Sequence, residues 1–268
     1  MEDSRHFDNN DRAAKDSAQL HRFFVPPQNI RPDTASLTRN QARQIANVLR
    51  LKPGRRIVVL DNTGAEYRLL LTEVAPDRVR GRIIEKKTPA TEPTVRITLC
   101  QSLLARTKFE LVLQKCTELG VARFIPIITE RSVVRDTAAF TSAKKQRWNR
   151  IITEAAEQSH RARIPELASP LTFEQALKTY AEFACSLIAS TAPDAPALNL
   201  SLTKPPTEEI ALFIGPEGGF TDNELKLALE NNATSFTLGP TILRTETAAI
   251  AATAVILHQL THKETVGE

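Results

Sequence analysis

The sequence predicts an α/β protein preceded by a small all-β module, and three observations carry that expectation. Near the C-terminal end, two short apolar runs each meet a glycine loop and then a helix start. Residues 210–214 lead into Gly215-Pro216-Glu217-Gly218-Gly219-Phe220, and residues 235–238 lead into Gly239-Pro240-Thr241-Ile242-Leu243-Arg244-Thr245-Glu246. From Ile97 onward, apolar runs alternate with amphipathic stretches, the pattern of a sheet covered by helices. Between Leu20 and Glu85, several strand-like runs surround one helical stretch, which suggests a small β-barrel.

In chain order, residues 1–18 have few large apolar side chains and no period, so a disordered tail is expected. The first module, residues 19–88, opens with the β-type run Leu20-His21-Arg22-Phe23-Phe24-Val25, which Pro26-Pro27 stops. A helix is expected over 38–51, with Ile45, Val48 and Leu49 on one face and Arg39, Arg43 and Arg50 around it. Lys52-Pro53-Gly54 ends it, and strands follow at 56–60, 66–74 and 78–85, the first two joined by Asp61-Asn62-Thr63-Gly64. Residues 89–93 read as a linker to a second domain, 89–268.

That domain begins with a strand at 97–104 and a helix at 108–119, whose inner face is Phe109, Val112, Leu113 and Cys116 and whose stop is Gly120. Residues 124–128 form the next strand. The helix 141–159 carries Trp148, Ile151, Ile152 and Ala155 at helical spacing, as core residues. The stretch 171–180, a strand at 184–189 and a proline-rich loop lead to the two glycine-loop units. Thr221 and Glu224 form a capping box, with Phe220 placed to staple onto Leu225.

Composition narrows the class. The 268 residues carry a net charge of +4. From Ala18 to Thr88 there are 14 Lys/Arg against 6 Asp/Glu, so the excess is concentrated in the first module, as contact with phosphates requires. No run approaches ~18 apolar residues, so no membrane span is expected, and the N-terminus lacks a signal-peptide pattern. Cys100, Cys116 and Cys185 fit neither a zinc pattern nor a disulfide framework, and read as reduced, mostly buried thiols of a cytoplasmic protein. His258 and His262 stand four apart without a nearby acid, and no metal is expected.

Glycine loops at the C-terminal ends of parallel strands let a ligand approach the backbone. The same glycines also serve as plain tight turns and helix caps; neither G-x-x-x-x-G-K-[ST] nor G-x-G-x-x-G is present, so any ligand bound there is neither a nucleoside triphosphate nor a dinucleotide. Arg244 stands at a helix start, where a cation opposes the dipole; it calls for an anionic partner, either a phosphate or an internal carboxylate such as Glu246. Glu217 can accept hydrogen bonds from a ligand or satisfy loop N–H groups. The basic runs Arg131-Ser132-Val133-Val134-Arg135 and His160-Arg161-Ala162-Arg163 can reach an anionic polymer, though each taken alone is more often a solvated face.

These residues form a recognisable set. His21-Arg22-Phe23-Phe24-Val25, Val48-Leu49-Arg50-Leu51-Lys52-Pro53-Gly54 and Gln114-Lys115-Cys116-Thr117-Glu118-Leu119-Gly120-Val121 stand in register with Pro126, Glu130-Arg131-Ser132 and Glu154-Ala155-Ala156-Glu157-Gln158-Ser159. With Arg161, Pro165 and both glycine loops, the chain resembles the RsmE family of the SPOUT superfamily, methyltransferases of uridine N3 in 16S ribosomal RNA, from Arg22 to about Ile256. The resemblance implies a PUA-like β-barrel that holds RNA, and a trefoil-knotted SPOUT domain that binds S-adenosylmethionine and pairs as a homodimer.

By the same resemblance, Leu212, Ile214, Gly215, Gly218, Leu238, Gly239, Ile242 and Leu243 enclose the cofactor. Arg22, Arg50, Lys52, Arg131 and Arg161 contact RNA, whether 16S RNA or the assembled small subunit. Arg244 is the first choice for stabilising the developing uracil anion or placing a phosphate, and Glu217 and Glu246 are candidates for handling the proton or orienting Arg244. A SPOUT enzyme acting on a ribose 2′-hydroxyl or another RNA, or a non-catalytic RNA-binding assembly protein, fits the same framework. The chain departs from the family pattern at Gln44 and Thr241, and has His160 where a glycine is usual.

Overall fold

The computed structural model describes residues 20–132, 140–180, 185–192, 195–201 and 209–263. The tail 1–18 and Arg135 lie outside the described residues. The chain divides into two compact units, Met1–Thr91 and Glu92–Glu268.

In the first unit, β1 (Arg22–Phe24), β2 (Thr34–Thr38), β3 (Arg56–Leu60), β4 (Glu66–Val74) and β5 (Arg78–Lys87) form one sheet in the order β1-β3-β4-β5-β2. Side chains alternate across each strand, and the apolar set curls around one core of Phe23, Val25, Leu37, Ile57, Val59, Leu69, Leu71 and Val79. A short helix, α1 (Arg39–Arg43), buries Ala42 against the same core and widens into a π-helical turn, Gln44–Val48. The Leu49 N–H donates to the Gln44 carbonyl at 2.9 Å, five residues back. The wider turn rotates the face, so Val48, expected beside Ile45 and Leu49, is 74% exposed while Ile45 is buried.

The second unit is a parallel sheet in the order β12-β10-β11-β6-β7-β8, with β9 also paired to β7. Its strands are β6 (Arg96–Ser102), β7 (Arg123–Ile128), β8 (Glu166–Leu167), β9 (Leu171–Thr172), β10 (Cys185–Ala189), β11 (Glu209–Ile214) and β12 (Thr234–Phe236). Helices cover both faces, which is why β11 reads as a continuous apolar run. Ile210, Leu212 and Ile214 face α2 (Arg106–Leu119), α3 (Ser142–Gln158) and α7 (Thr245–Lys263). Ala211 and Phe213 face α4 (Phe173–Tyr180) and α6 (Asp222–Glu230). A four-residue helix, α5 (Leu198–Ser201), precedes β11.

Local sequence sets the helix ends. The Thr221–Glu224 capping box closes both ways at the start of α6, and Phe220 and Leu225 share one apolar cluster. Gly120 ends α2 at φ +121°, where a Cβ would meet Pro93 Cγ at 2.6 Å. Trp148 is buried and stacks on Phe109 with ring centroids 4.3 Å apart. Burial raises the thiol pKa of all three free cysteines, that of Cys116 to about 12, so they stay protonated.

At the C-terminal end of α3, His160 adopts φ +61° and the Arg161 N–H donates to the Ala156 carbonyl at 3.0 Å, closing a Schellman turn. The departure at His160 is thus a side chain held where glycine costs least. Arg161, expected on the RNA-contacting surface, turns inward. It is 4% exposed, pairs with Glu92 at 2.6 Å, and donates to the carbonyls of Thr117 at 3.1 Å and Val121 at 2.6 Å. Glu92 also accepts from the N–H groups of Ala162 and Arg163. A guanidinium this committed ties the segment before β6 to the end of α3. Urea unfolding checks the corner: His160→Gly is expected to stabilise by about 1 kcal/mol, and Arg161→Met to destabilise by about 3 kcal/mol through the unpaired carboxylate it leaves.

Candidate functional site

Three neighbouring strands, β12, β10 and β11, end beside one another, and the residues that follow them line a cavity of about 910 Å3. Ser190, Thr191 and Ala192 come from the end of β10. Ile214 ends β11, Gly215, Glu217 and Phe220 come from the first glycine loop, Leu238 to Arg244 from the second, and Thr245 opens α7. This is the strand-end position at which open α/β sheets bind ligands, and the volume suits a cofactor-sized molecule.

The first loop is braced from three sides. Thr245 donates its hydroxyl to the Gly215 carbonyl at 2.5 Å, and Gln101 donates to the Thr245 hydroxyl at 3.2 Å. Arg131 donates to the carbonyls of Gly218 at 2.8 Å and Phe220 at 3.2 Å. Lys108, in the first turn of α2, pairs with Glu217 at 2.8 Å. Behind the loop, Glu224 accepts from the Glu130 N–H at 2.9 Å. The second loop turns on Thr237, whose hydroxyl donates to the Gly239 carbonyl at 3.1 Å. Gly239 stands at φ +128° with nothing within 4 Å of where a Cβ would be, so the missing side chain leaves backbone bare to the cavity.

Two charged side chains, Glu217 and Arg244, stand on the described wall. The hydrogen bond from Lys108 holds the Glu217 carboxyl below its ordinary pKa, and the same contact holds the Lys108 ammonium above its own. The pair is therefore fully charged at neutral pH. Its contribution from Glu217 is lost as pH falls through the depressed value, and that from Lys108 as pH rises through the raised one. Arg244 caps α7, its carbonyl accepting from the Ala248 N–H at 2.8 Å, and its exposed guanidinium has no ion pair among the described residues. The expected internal partner, Glu246, is buried on the first turn of α7 with Oε2 unpartnered.

Of the expected cofactor residues, Ile214, Gly215, Leu238, Gly239, Ile242 and Leu243 line the cavity. Leu212 lies off the described wall, inside β11 between Leu99 and Leu187, and Gly218 lies off it under the Arg131 side chain. Lys108 escaped the sequence reading because it is 109 residues from Glu217.

The family of RNA methyltransferase domains matches residues 91–257, and the RNA methyltransferase PUA domain matches residues 37–84. The chain belongs to the ribosomal RNA small subunit methyltransferase E family. It is 35% identical to the methyltransferase E of Synechocystis sp. over 248 residues, which cover 92% of this chain and 80% of that relative. The Bacillus subtilis protein is 32% identical, with 90% and 97% covered. The crystal structure of the Neisseria gonorrhoeae enzyme, bound to S-adenosyl methionine, superposes with TM-score 0.81 at 33% identity, covering 90% of this chain and 98% of that one. A Legionella pneumophila protein in complex with the same cofactor superposes with TM-score 0.82 at 32% identity, covering the same shares. The fold is therefore a PUA-like unit followed by a SPOUT methyltransferase unit.

In this member of the methyltransferase E family the basic side chains sort into two groups. Arg22 has a side chain only 9% exposed and pairs with Glu66 at 2.6 Å, while Arg131 braces the glycine loop. Arg50 and Lys52 are exposed, Arg50 at φ +52°. The sequence reading passed over an arginine face on the PUA-like sheet. Arg78, Arg80 and Arg82 alternate with buried Val79 and Gly81 along β5, and the register Arg56–Leu70–Arg82 puts exposed Arg56 on the same face. Glu73 offsets it only loosely, at 3.5 Å from Arg78 and 3.8 Å from Arg80. The signal was present as Arg-x-Arg-x-Arg at strand period. Among the described residues no group of three or more His, Cys, Asp or Glu gathers as a metal site, and no helix is long and apolar enough to cross a membrane.

Proposed function

We propose that this chain methylates N3 of a uridine in the 16S RNA of the small ribosomal subunit, with S-adenosylmethionine as donor, acting as a cytoplasmic homodimer. The observation that carries the reading is the cavity between two glycine loops, in a fold whose relatives of about one-third identity hold that cofactor. The residues present fit it: bare backbone at Gly239, an apolar wall of Leu238, Ile242 and Leu243, and few charges to desolvate. Ile242 is 84% exposed on the lip, an apolar side chain suited to cover by a second copy.

When bound, the cofactor supplies a sulfonium methyl group open to direct displacement. The chain's residues must then hold uracil N3 in line and help it lose its proton. Arg244 faces the cavity with no internal ion pair among the described residues, so its charge is available to the uracil oxygens as N3 ionises. Glu217 and Glu246 are the nearby carboxylates for orienting Arg244 or accepting the proton. Arg50, Lys52 and the arginine face of β5 supply the contacts to RNA phosphates.

Purified protein added to small subunits from a strain lacking the gene should restore one N3-methyluridine, read by nuclease digestion and mass spectrometry. Arg244→Ala should lower single-turnover methylation by ~100-fold or more while leaving cofactor affinity within about twofold. Methylation of a ribose hydroxyl, or of no nucleotide, would overturn the reading. Replacing Arg78, Arg80 and Arg82 together by Gln should lower the slope of log affinity against log salt by about 2–3, from the lost phosphate contacts. An unchanged slope would remove this face from the RNA path.

A further inference from the structure

Glu217 is the single carboxylate on the described cavity wall, and it is not free to act alone. Its Oε1 lies 2.8 Å from Lys108 Nζ, a contact that joins the first turn of α2 to the tip of the first glycine loop. Both side chains are about one-third exposed, at 34% and 37%, so the pair sits at the cavity mouth rather than in the core. Lys108 is also within electrostatic reach of the buried Glu246 and of Arg244 on the cavity wall. An exposed pair of this kind adds little to folding. Its geometric effect is larger, since it fixes one rotamer of a side chain on a loop otherwise held by backbone contacts at Gly215, Gly218 and Phe220.

We propose that Lys108 is a positioning residue of the methyl-transfer site, which pins the Glu217 carboxylate at the cavity mouth as a charged, fixed hydrogen-bond acceptor. This rests on the reading of the cavity as the methyl-donor site. A carboxylate already accepting from an ammonium is a weak base. Glu217 therefore orients the target base or Arg244, and the N3 proton leaves to another acceptor. The charge on Lys108 matters more than its length, so arginine can substitute and methionine cannot.

The test is a double-mutant cycle on single-turnover methylation, with cofactor affinity measured by calorimetry on the same proteins. Lys108→Met is expected to slow methyl transfer about 10- to 100-fold with cofactor affinity within twofold, and Lys108→Arg to recover at least tenfold of that loss. Adding Lys108→Met to Glu217→Gln should slow the reaction no further than Glu217→Gln alone, because the pair acts as a unit. In 13C-labelled protein the Glu217 carboxyl resonance should titrate at higher pH in Lys108→Met than in the wild type. Full activity of Lys108→Met, additive losses in the double variant, or a fall in cofactor affinity matching the loss of rate would each overturn the proposal. A wild-type protein that methylates no uridine N3 would instead sink the functional reading, and the carboxyl titration would still report on the pair.

Discussion

The Thr245 hydroxyl donates a buried hydrogen bond to the Gly215 carbonyl at 2.5 Å, and the rest of the site depends on that contact. It joins two loops that leave the sheet from different strands, and it is made from the first residue of α7. Gln101, at the end of β6, donates to the same hydroxyl, so three elements converge on one oxygen. Such a bond adds only about 1 kcal/mol net, but leaving a buried carbonyl without its donor costs about 1–3 kcal/mol. The cost would fall on the geometry of the cavity, because Gly215 is part of its wall. Gln101 Oε1 remains buried without a partner behind this junction, a polar atom the fold tolerates where the loops meet.

Around that junction the charges are arranged so that few are wasted. Arg131 and Arg161 are spent on carbonyls and, for Arg161, on Glu92; these are architectural arginines. Lys108 is spent on Glu217. Arg244 keeps an uncommitted cation at the cavity, and the arginines of β5 keep theirs on the sheet face. The strong basic excess of the first unit thus has a location, and a single unpaired cation stands on the described cavity wall. A cation at the start of α7 opposes the helix dipole, a small cost that an anion in the cavity would offset.

What could be read from the sequence was what is written locally. The capping box at Thr221, the stop at Gly120 and the helix start at Thr245 are decided by residues within a turn of one another, and each was legible. The two glycine loops were legible as strand–glycine–helix units because the three follow in order, and the structure brings both to the wall of one cavity. Contacts between distant residues were not: Lys108 with Glu217, and Arg161 with Glu92, are pairs that only the sheet order brings together. Arg161 looked basic and available, yet the Schellman turn at His160 swings it inward. A regular helical period places Val48 beside Ile45, but the π-helical turn breaks that period and leaves Val48 exposed. The arginine face of β5 is written in the alternation of Arg78, Arg80 and Arg82, which net charge alone does not reveal.

The two glycine loops that line the cavity are tied together at Thr245. Calorimetric titration of S-adenosylmethionine into Thr245→Val, which keeps the shape and removes the hydroxyl, tests this directly. Affinity should fall about tenfold or more relative to the wild type, the cost of the unmet Gly215 carbonyl, while the variant remains folded by circular dichroism. A folded Thr245→Val that binds the cofactor as tightly as the wild type would contradict the account.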